Sequence, residues 1–167
     1  MDGIVKETEH LGVEIRHTQH GDEAVIDEFK PDFAIVGVGE LPYAELGGDN
    51  GTMQLNNTLI NTVRLVCSKV PCVVVLFSGR PLQIDYLLGE IDVFVAAWLP
   101  GTEGGSGIAD VLFGKHDFKG TLPVTWFSNT KNIPMNLDSQ PYSPLMFPYG
   151  FGLNKAGERL VLPHGDA

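Results

Sequence analysis

Three apolar runs, each closed by glycine, serine or proline, constrain this chain more than anything else in it. They are "DFAIVGVG" (32–39), "PCVVVLFSG" (71–79) and "IDVFVAAWLPG" (91–101). None alternates polar with apolar residues, so each reads as a strand covered on both faces, the pattern of a parallel sheet. Helical patterns separate them. "LNNTLINTVRLVCSK" (55–69) sets Leu59, Val63, Val66 and Leu65 at helical spacing, and "PLQIDYLLGE" (81–90) reads as a short helix. "TEGGSGIADVLFG" (102–114) is expected to open a helix on Thr and Glu and to stop it at Gly. Upstream, "VEIRHT" (13–18) reads as a short strand and "GDEAVIDEF" (21–29) as a short helix, with Asp22 near its start where a carboxylate favours the helix dipole. The alternation predicts an α/β fold, a parallel sheet covered on both sides by helices.

In such a sheet, sites lie in the loops just past the carboxyl ends of the strands. "GELPYAELGGDN", "SGRP" and "LPGTEGGSG" are those loops, and parallel strands bring them to one edge. After residue 114 the chain turns rich in Pro, Gly and aromatics and loses periodicity. It reads as an irregular C-terminal wrap with "TLPVTW" (121–126) as a candidate edge strand, then a flexible tail over 154–167.

The chain has 167 residues, enough for one domain with a sizeable core. Its net charge of −10 repels nucleic acid and anionic membranes, so neither is expected as a partner, while a neutral carbohydrate is compatible. No apolar run reaches the roughly 18 residues of a membrane helix. The polar, acidic N-terminus does not have the make-up of a secretory signal, which leaves the compartment open. The two cysteines, Cys67 and Cys72, have no second pair and no histidine cluster beside them, so no metal site is expected. Residue types alone leave two packed thiols or a small local disulfide as alternatives.

The candidate chemistry divides unevenly among the three loops. "GTEGGSG" fits neither the dinucleotide nor the Walker signature, and Glu103 would repel a phosphate, so no nucleotide cofactor is expected. Ser78 has no nucleophile elbow and no telling histidine, and reads as a cap for a helix beginning near Pro81. Arg80 is expected to pair with a carboxylate at the sheet edge. That leaves Glu40 and Glu45, which bracket Pro42 and Tyr43. A lone loop acid is ordinarily a solvated charge or a cap. Glycoside hydrolysis gives a second meaning to such an acid, because it needs two carboxyl groups across the scissile bond, one of them kept protonated by an apolar or aromatic setting. Tyr43 and the strand end offer such a setting for Glu45, and Glu40, directly after Gly39 at the strand terminus, is the competing candidate.

Taken together, "AIVGVGELPYAELGGDN", "CVVVLFSGRPLQI", "DVFVAAWLPGTEGGSGIADVLFG", "FKGTLPVTWF", "IPMNL" and "FPYGFGL" resemble the C-terminal domain of glycoside hydrolase family 3, most nearly its plant β-D-glucan exohydrolases and β-glucosidases. The likeness runs over about residues 30–153, with residues 1–29 following in helix–strand pattern; the expected domain is 1–153. It implies a six-stranded, mainly parallel sheet sandwiched between helices. It also implies an N-terminal barrel that carries the aspartate nucleophile, a β-glucan or β-glucoside as substrate, and Glu45 as the acid/base. Cys67 and Cys72 match positions where plant relatives carry cysteines, which favours their disulfide, and the family is typically secreted. The sequon at Asn56 agrees with secretion.

The chain also departs from the pattern. It has no room for the barrel. Leu41 stands where a polar residue, often His, is usual. No tryptophan precedes Glu45, and Trp98 and Trp126 fall where they read as core or wrap residues. Met1 lies inside the expected domain, as in a truncated gene product. The expected function is therefore the acid/base half of a retaining β-glucosidase-type hydrolase, nearly inert alone. The alternative is a non-catalytic carbohydrate- or protein-binding remnant.

Overall fold

The three apolar runs form β1 (Ala34–Gly39), β2 (Cys72–Phe77) and β3 (Val93–Trp98), which lie side by side in that order and all parallel. The structure is a computed structural model that describes residues 1–135 and 147–160. It divides into two compact units, residues 14–100 and residues 1–13 with 101–167.

The first unit is built on β2, the middle strand. Ala34 pairs with Cys72 and Gly39 with Phe77 on one side, and Val73 pairs with Val93 on the other. Val74, Val75 and Leu76 are almost wholly shielded. Removing such side chains from water contributes about 1.5–3 kcal/mol each, and adjacent residues point to opposite faces, so both faces of the strand are covered. Glu23–Phe29 forms α1 of this unit, capped by Asp22, whose carboxylate accepts from the Ala24 and Val25 amides at 2.9 and 3.4 Å. Asn57–Cys67 forms α2, capped by Asn56, and buries Ile60, Val63 and Val66. A disulfide joins Cys67 at its end to Cys72 at the start of β2, with the Cα atoms 5.2 Å apart. Asp85–Leu88 forms the short α3.

In the second unit, Asp2–Thr8 forms α4, a helix for which the polar N-terminal stretch offers no clear periodicity, and Gly104–Leu112 forms α5. A side chain at Gly3 would collide with the Gly105 carbonyl, so glycine permits the two helices to meet there. Lys115 bonds Asp110 at 3.0 Å and reaches Glu7 at 3.5 Å. Trp126 and Phe127 are buried.

Several expectations need correcting. The sheet has three strands among the described residues, not six. "VEIRHT" forms no strand: Val13 is exposed, and Glu14 and Arg16 pair with each other in solvent at 2.9 Å, leaving too little apolar surface to anchor one. "TLPVTW" makes a single bridge among the described residues, Trp126 to Phe147; the Leu122 amide also donates to the Phe151 carbonyl at 2.8 Å and the Leu122 carbonyl accepts from the Gly150 amide at 2.9 Å, but no continuous strand forms. Helix α5 begins after Glu103 without a side-chain cap, so Thr102 and Glu103 do not start it as expected. It does end before Gly114, which has φ of 100°. Of the expected tail, residues 154–160 include an Asn154–Glu158 turn and a Leu153–Arg159 bridge; the rest lies outside the described residues, as do parts of the "IPMNL" segment and the stretch after it.

Candidate active site

Gly39, Phe77 and Trp98 end their strands on one edge of the sheet. Gly39 is required there, because a Cβ would lie 2.5 Å from the Phe77 carbonyl oxygen. The close approach lets the Glu40 amide donate to that same oxygen at 3.1 Å. Glu40 therefore leaves the sheet from a fixed position.

Its carboxylate is fully engaged. Arg80 donates to Oε1 from Nη2 at 2.7 Å and from Nε at 3.1 Å, and the Tyr43 hydroxyl donates to Oε2 at 3.3 Å. The third guanidinium nitrogen, Nη1, donates to the Gly48 carbonyl. The Arg80 guanidinium also lies over the Tyr43 ring, 4.7 Å from its centroid, close enough for cation–π attraction. Tyr43 in turn packs against Gly48, where a Cβ would come within 2.6 Å of the ring. Arg80 thus ties down the beginning, the middle and the end of the 40–48 loop.

The electrostatics follow that geometry. The hydrogen bonds it donates to Glu40 hold the Arg80 guanidinium above its ordinary pKa. Loss of water around the Tyr43 hydroxyl, and then the negative charge of Glu40, push that phenol up from 10.0, with Arg80 acting against them.

Glu45 differs from Glu40 in every respect. It is exposed, and among the described residues no hydrogen bond or ion pair holds its carboxylate. It opens a one-turn 3₁₀ segment, Glu45–Gly48, closed by the Gly47 amide on the Ala44 carbonyl at 3.0 Å. Its φ is +46°, a left-handed conformation that disfavours any side chain. Trp98, at the end of β3 and half-buried, also has positive φ, +55°. Lys30 and Met53 share this backbone region, with φ of 51° and 46°. The loops past this edge expose leucines: Leu46, next to Glu45 in sequence, Leu41 after β1 and Leu99 after β3 are 82%, 83% and 78% exposed.

Sequence reading placed Arg80 correctly against a sheet-edge carboxylate, and the structure identifies that carboxylate as Glu40. Ser78 is not a helix cap. It is buried, its hydroxyl donates to the Arg80 carbonyl at 2.8 Å, and the helix it was expected to cap starts only at Asp85. Trp98 belongs to the edge rather than the core, whereas Trp126 is buried. Leu41 is the departure from the family pattern noted above, and Leu46 and Leu99 are likewise exposed in the loop segments. Their signal is leucine standing in loops where polar residues are the norm. No group of three or more His, Cys, Asp or Glu able to hold a metal ion occurs among the described residues.

Known proteins match this chain across its length. Residues 1–155 match the glycosyl hydrolase family 3 C-terminal domain. The chain is 30% identical over 156 residues to a periplasmic beta-glucosidase of Salmonella typhimurium, an alignment covering 80% of this chain and 20% of that protein. It is 36% identical over 115 residues to a lysosomal beta glucosidase of Dictyostelium discoideum, covering 67% and 14%. Its fold superposes on the crystal structure of an exo-1,3/1,4-beta-glucanase from a Pseudoalteromonas species with a TM-score of 0.78 and 37% identity, covering 91% of this chain and 20% of that one. The chain thus spans about a fifth or less of the length of these relatives. Bacterial, Dictyostelium and plant proteins all appear among the matches, so they do not single out the plant type. This chain belongs to the glycosyl hydrolase family 3 C-terminal domain family.

Proposed function

We propose that this domain supplies the acid/base carboxyl of a retaining β-glycosidase, that Glu45 is that group, and that a companion N-terminal domain supplies the nucleophile and most of the sugar-binding surface. One observation carries the assignment: Arg80 and Tyr43 occupy both oxygens of Glu40, while Glu45 presents its carboxyl to solvent from an anchored loop. A proton donor must be free to reach substrate, yet fixed in position.

In the first step Glu45 protonates the departing glycosidic oxygen while a carboxylate of the companion domain attacks the anomeric carbon. In the second, Glu45 takes a proton from the water that hydrolyses the glycosyl-enzyme bond. Retention requires the two carboxyl groups to sit about 5–5.5 Å apart, a spacing that companion docking would set. The acid must be protonated when substrate binds, and water-excluding surroundings favour that form. Leu41, Leu46 and Leu99 provide such surroundings once a companion surface covers them. β-Glucosidases and β-xylosidases both occur among the relatives, and a β-glucoside or β-glucan is the substrate we favour.

The test is complementation. The chain is assayed on an aryl β-glucoside, alone and with a separately expressed family 3 barrel domain. Activity is expected only from the mixture, with Glu45→Gln reducing turnover most on aglycones that leave poorly and Glu40→Gln acting through stability. Full turnover by the chain alone, or by a Glu45→Gln mixture, would sink the assignment.

A further inference from the structure

Two Asn-X-Thr triplets with a non-proline centre occur in this sequence, Asn50-Gly51-Thr52 and Asn56-Asn57-Thr58. The triplet is the acceptor signal for N-linked glycans, and on its own it is a weak one. The structure adds three observations. Both asparagines are exposed. Both already serve the fold, and both do so through oxygen alone. Asn50 Oδ1 accepts from the Thr52 amide at 3.0 Å, the Thr52 hydroxyl at 2.9 Å and the Met53 amide at 3.2 Å, while Asn56 Oδ1 accepts from the Leu59 amide at 2.9 Å and caps α2. Neither amide nitrogen takes part in a hydrogen bond among the described residues. Finally, the chain's two cysteines are joined to each other, which fits an oxidising compartment.

We propose that Asn50 and Asn56 are N-glycosylation sites of this domain. The donor class is a lipid-diphosphate-linked oligosaccharide. Asn Nδ2 attacks C1 of the first sugar, the N–C1 bond forms, and the C1–oxygen bond to the diphosphate breaks. One Nδ2 proton passes to a base of the transferase, and the lipid diphosphate departs. The product amide keeps its oxygen, so the turn at Asn50 and the cap at Asn56 persist with a glycan attached. Asn50 lies five residues beyond Glu45, so its glycan would stand on the same loop as the candidate acid. The proposal does not depend on the role of Glu45.

The experiment expresses the full chain behind a cleavable leader in a eukaryotic secretory cell. The secreted protein is treated with peptide N-glycosidase in ¹⁸O-water and mapped by peptide mass spectrometry. An untreated sample separates glycan release from spontaneous deamidation at Asn50-Gly51. Translation with microsomes reads the same modification as a glycosidase-sensitive gel shift, whether or not a variant is secreted. Isotope label is expected at both asparagines, with Thr52→Ala and Thr58→Ala each abolishing one site and sparing the other. The glycosylated chain should share its unfolding midpoint with chain made in bacteria. Absence of label and gel shift at either asparagine overturns the proposal for that site, and a midpoint lowered by glycosylation overturns the argument that the fold tolerates it.

Discussion

Arg80 directs two guanidinium nitrogens at a single oxygen of Glu40, at 2.7 and 3.1 Å, although the residues lie forty positions apart in sequence. The pair is largely shielded, with side-chain exposures of 22% and 12%. Truncating Arg80 to Met would leave the Glu40 carboxylate without its cation and free the Gly48 carbonyl. Breaking a buried pair costs about 3–5 kcal/mol, and partial exposure here lowers the expectation to about 2–3 kcal/mol. Glu40→Gln keeps an acceptor for Arg80 and should cost less, about 1–1.5 kcal/mol. Urea unfolding, read as a shift in midpoint at constant slope, ranks the two, and equal effects would contradict the clamp.

Glu45 is the opposite case, a side chain retained where the backbone disfavours one. Its φ of +46° suits glycine. Left-handed geometry costs a non-glycine residue roughly 1–2 kcal/mol, and glycine loses about 0.5–1 kcal/mol through its flexibility when unfolded. Glu45→Gly should therefore stabilise the domain by about 0.5–1 kcal/mol while abolishing any proton transfer that Glu45 performs. A thermal or urea midpoint that falls in Glu45→Gly would show that the carboxylate carries structural bonds after all.

Those two residues also show what was legible in the sequence. The strands were, because β1, β2 and β3 are continuous apolar runs, and so were the Asp22 cap and the Gly114 stop. The distinction between the acids was not a matter of composition. Glu40 and Glu45 are five positions apart in the same loop, and what separates them is Arg80, brought over by β2–β1 pairing. "VEIRHT" failed for a similar reason: a strand needs a partner, and local pattern cannot say whether one arrives. The left-handed φ at Glu45 and Trp98 had no signal at all, since neither is glycine or asparagine.

Tyr43 gives the clamp a pH dependence. Its folded-state pKa is raised above 10.0, first by loss of water and then by Glu40. Below that unfolded-state value both states hold the proton and the phenol contributes no pH slope. Above it the unfolded chain releases the proton while the folded chain keeps it, so stability falls as pH rises through the folded value. Tyr86, raised mainly by burial and then by Asp85, adds to the same alkaline limb. Unfolding midpoints measured between about pH 9 and 11 should decline, and Tyr43→Phe should flatten part of that decline and leave the Tyr86 part. An unchanged limb in Tyr43→Phe would remove Tyr43 from the linkage.

The leucine rim predicts how the chain behaves without a companion. Leu41, Leu46 and Leu99 are each more than three-quarters exposed in loops past the carboxyl ends of the strands, and apolar surface exposed together there is adhesive. The isolated chain should therefore self-associate with concentration in sedimentation experiments. A triple variant, Leu41→Ser with Leu46→Lys and Leu99→Lys, should sediment as a monomer. Its stability should stay within about 0.5 kcal/mol, because residues this exposed contribute little to the core. Charge cannot account for such dispersal. The chain carries −10, and two added lysines move it toward neutrality, which weakens the repulsion between copies. Monomerisation against that trend isolates the lost apolar area as the cause, and it marks the surface that a companion domain would cover. A variant that still associates as the parent does would place the adhesive surface elsewhere and remove the rim from the account of how Glu45 is desolvated.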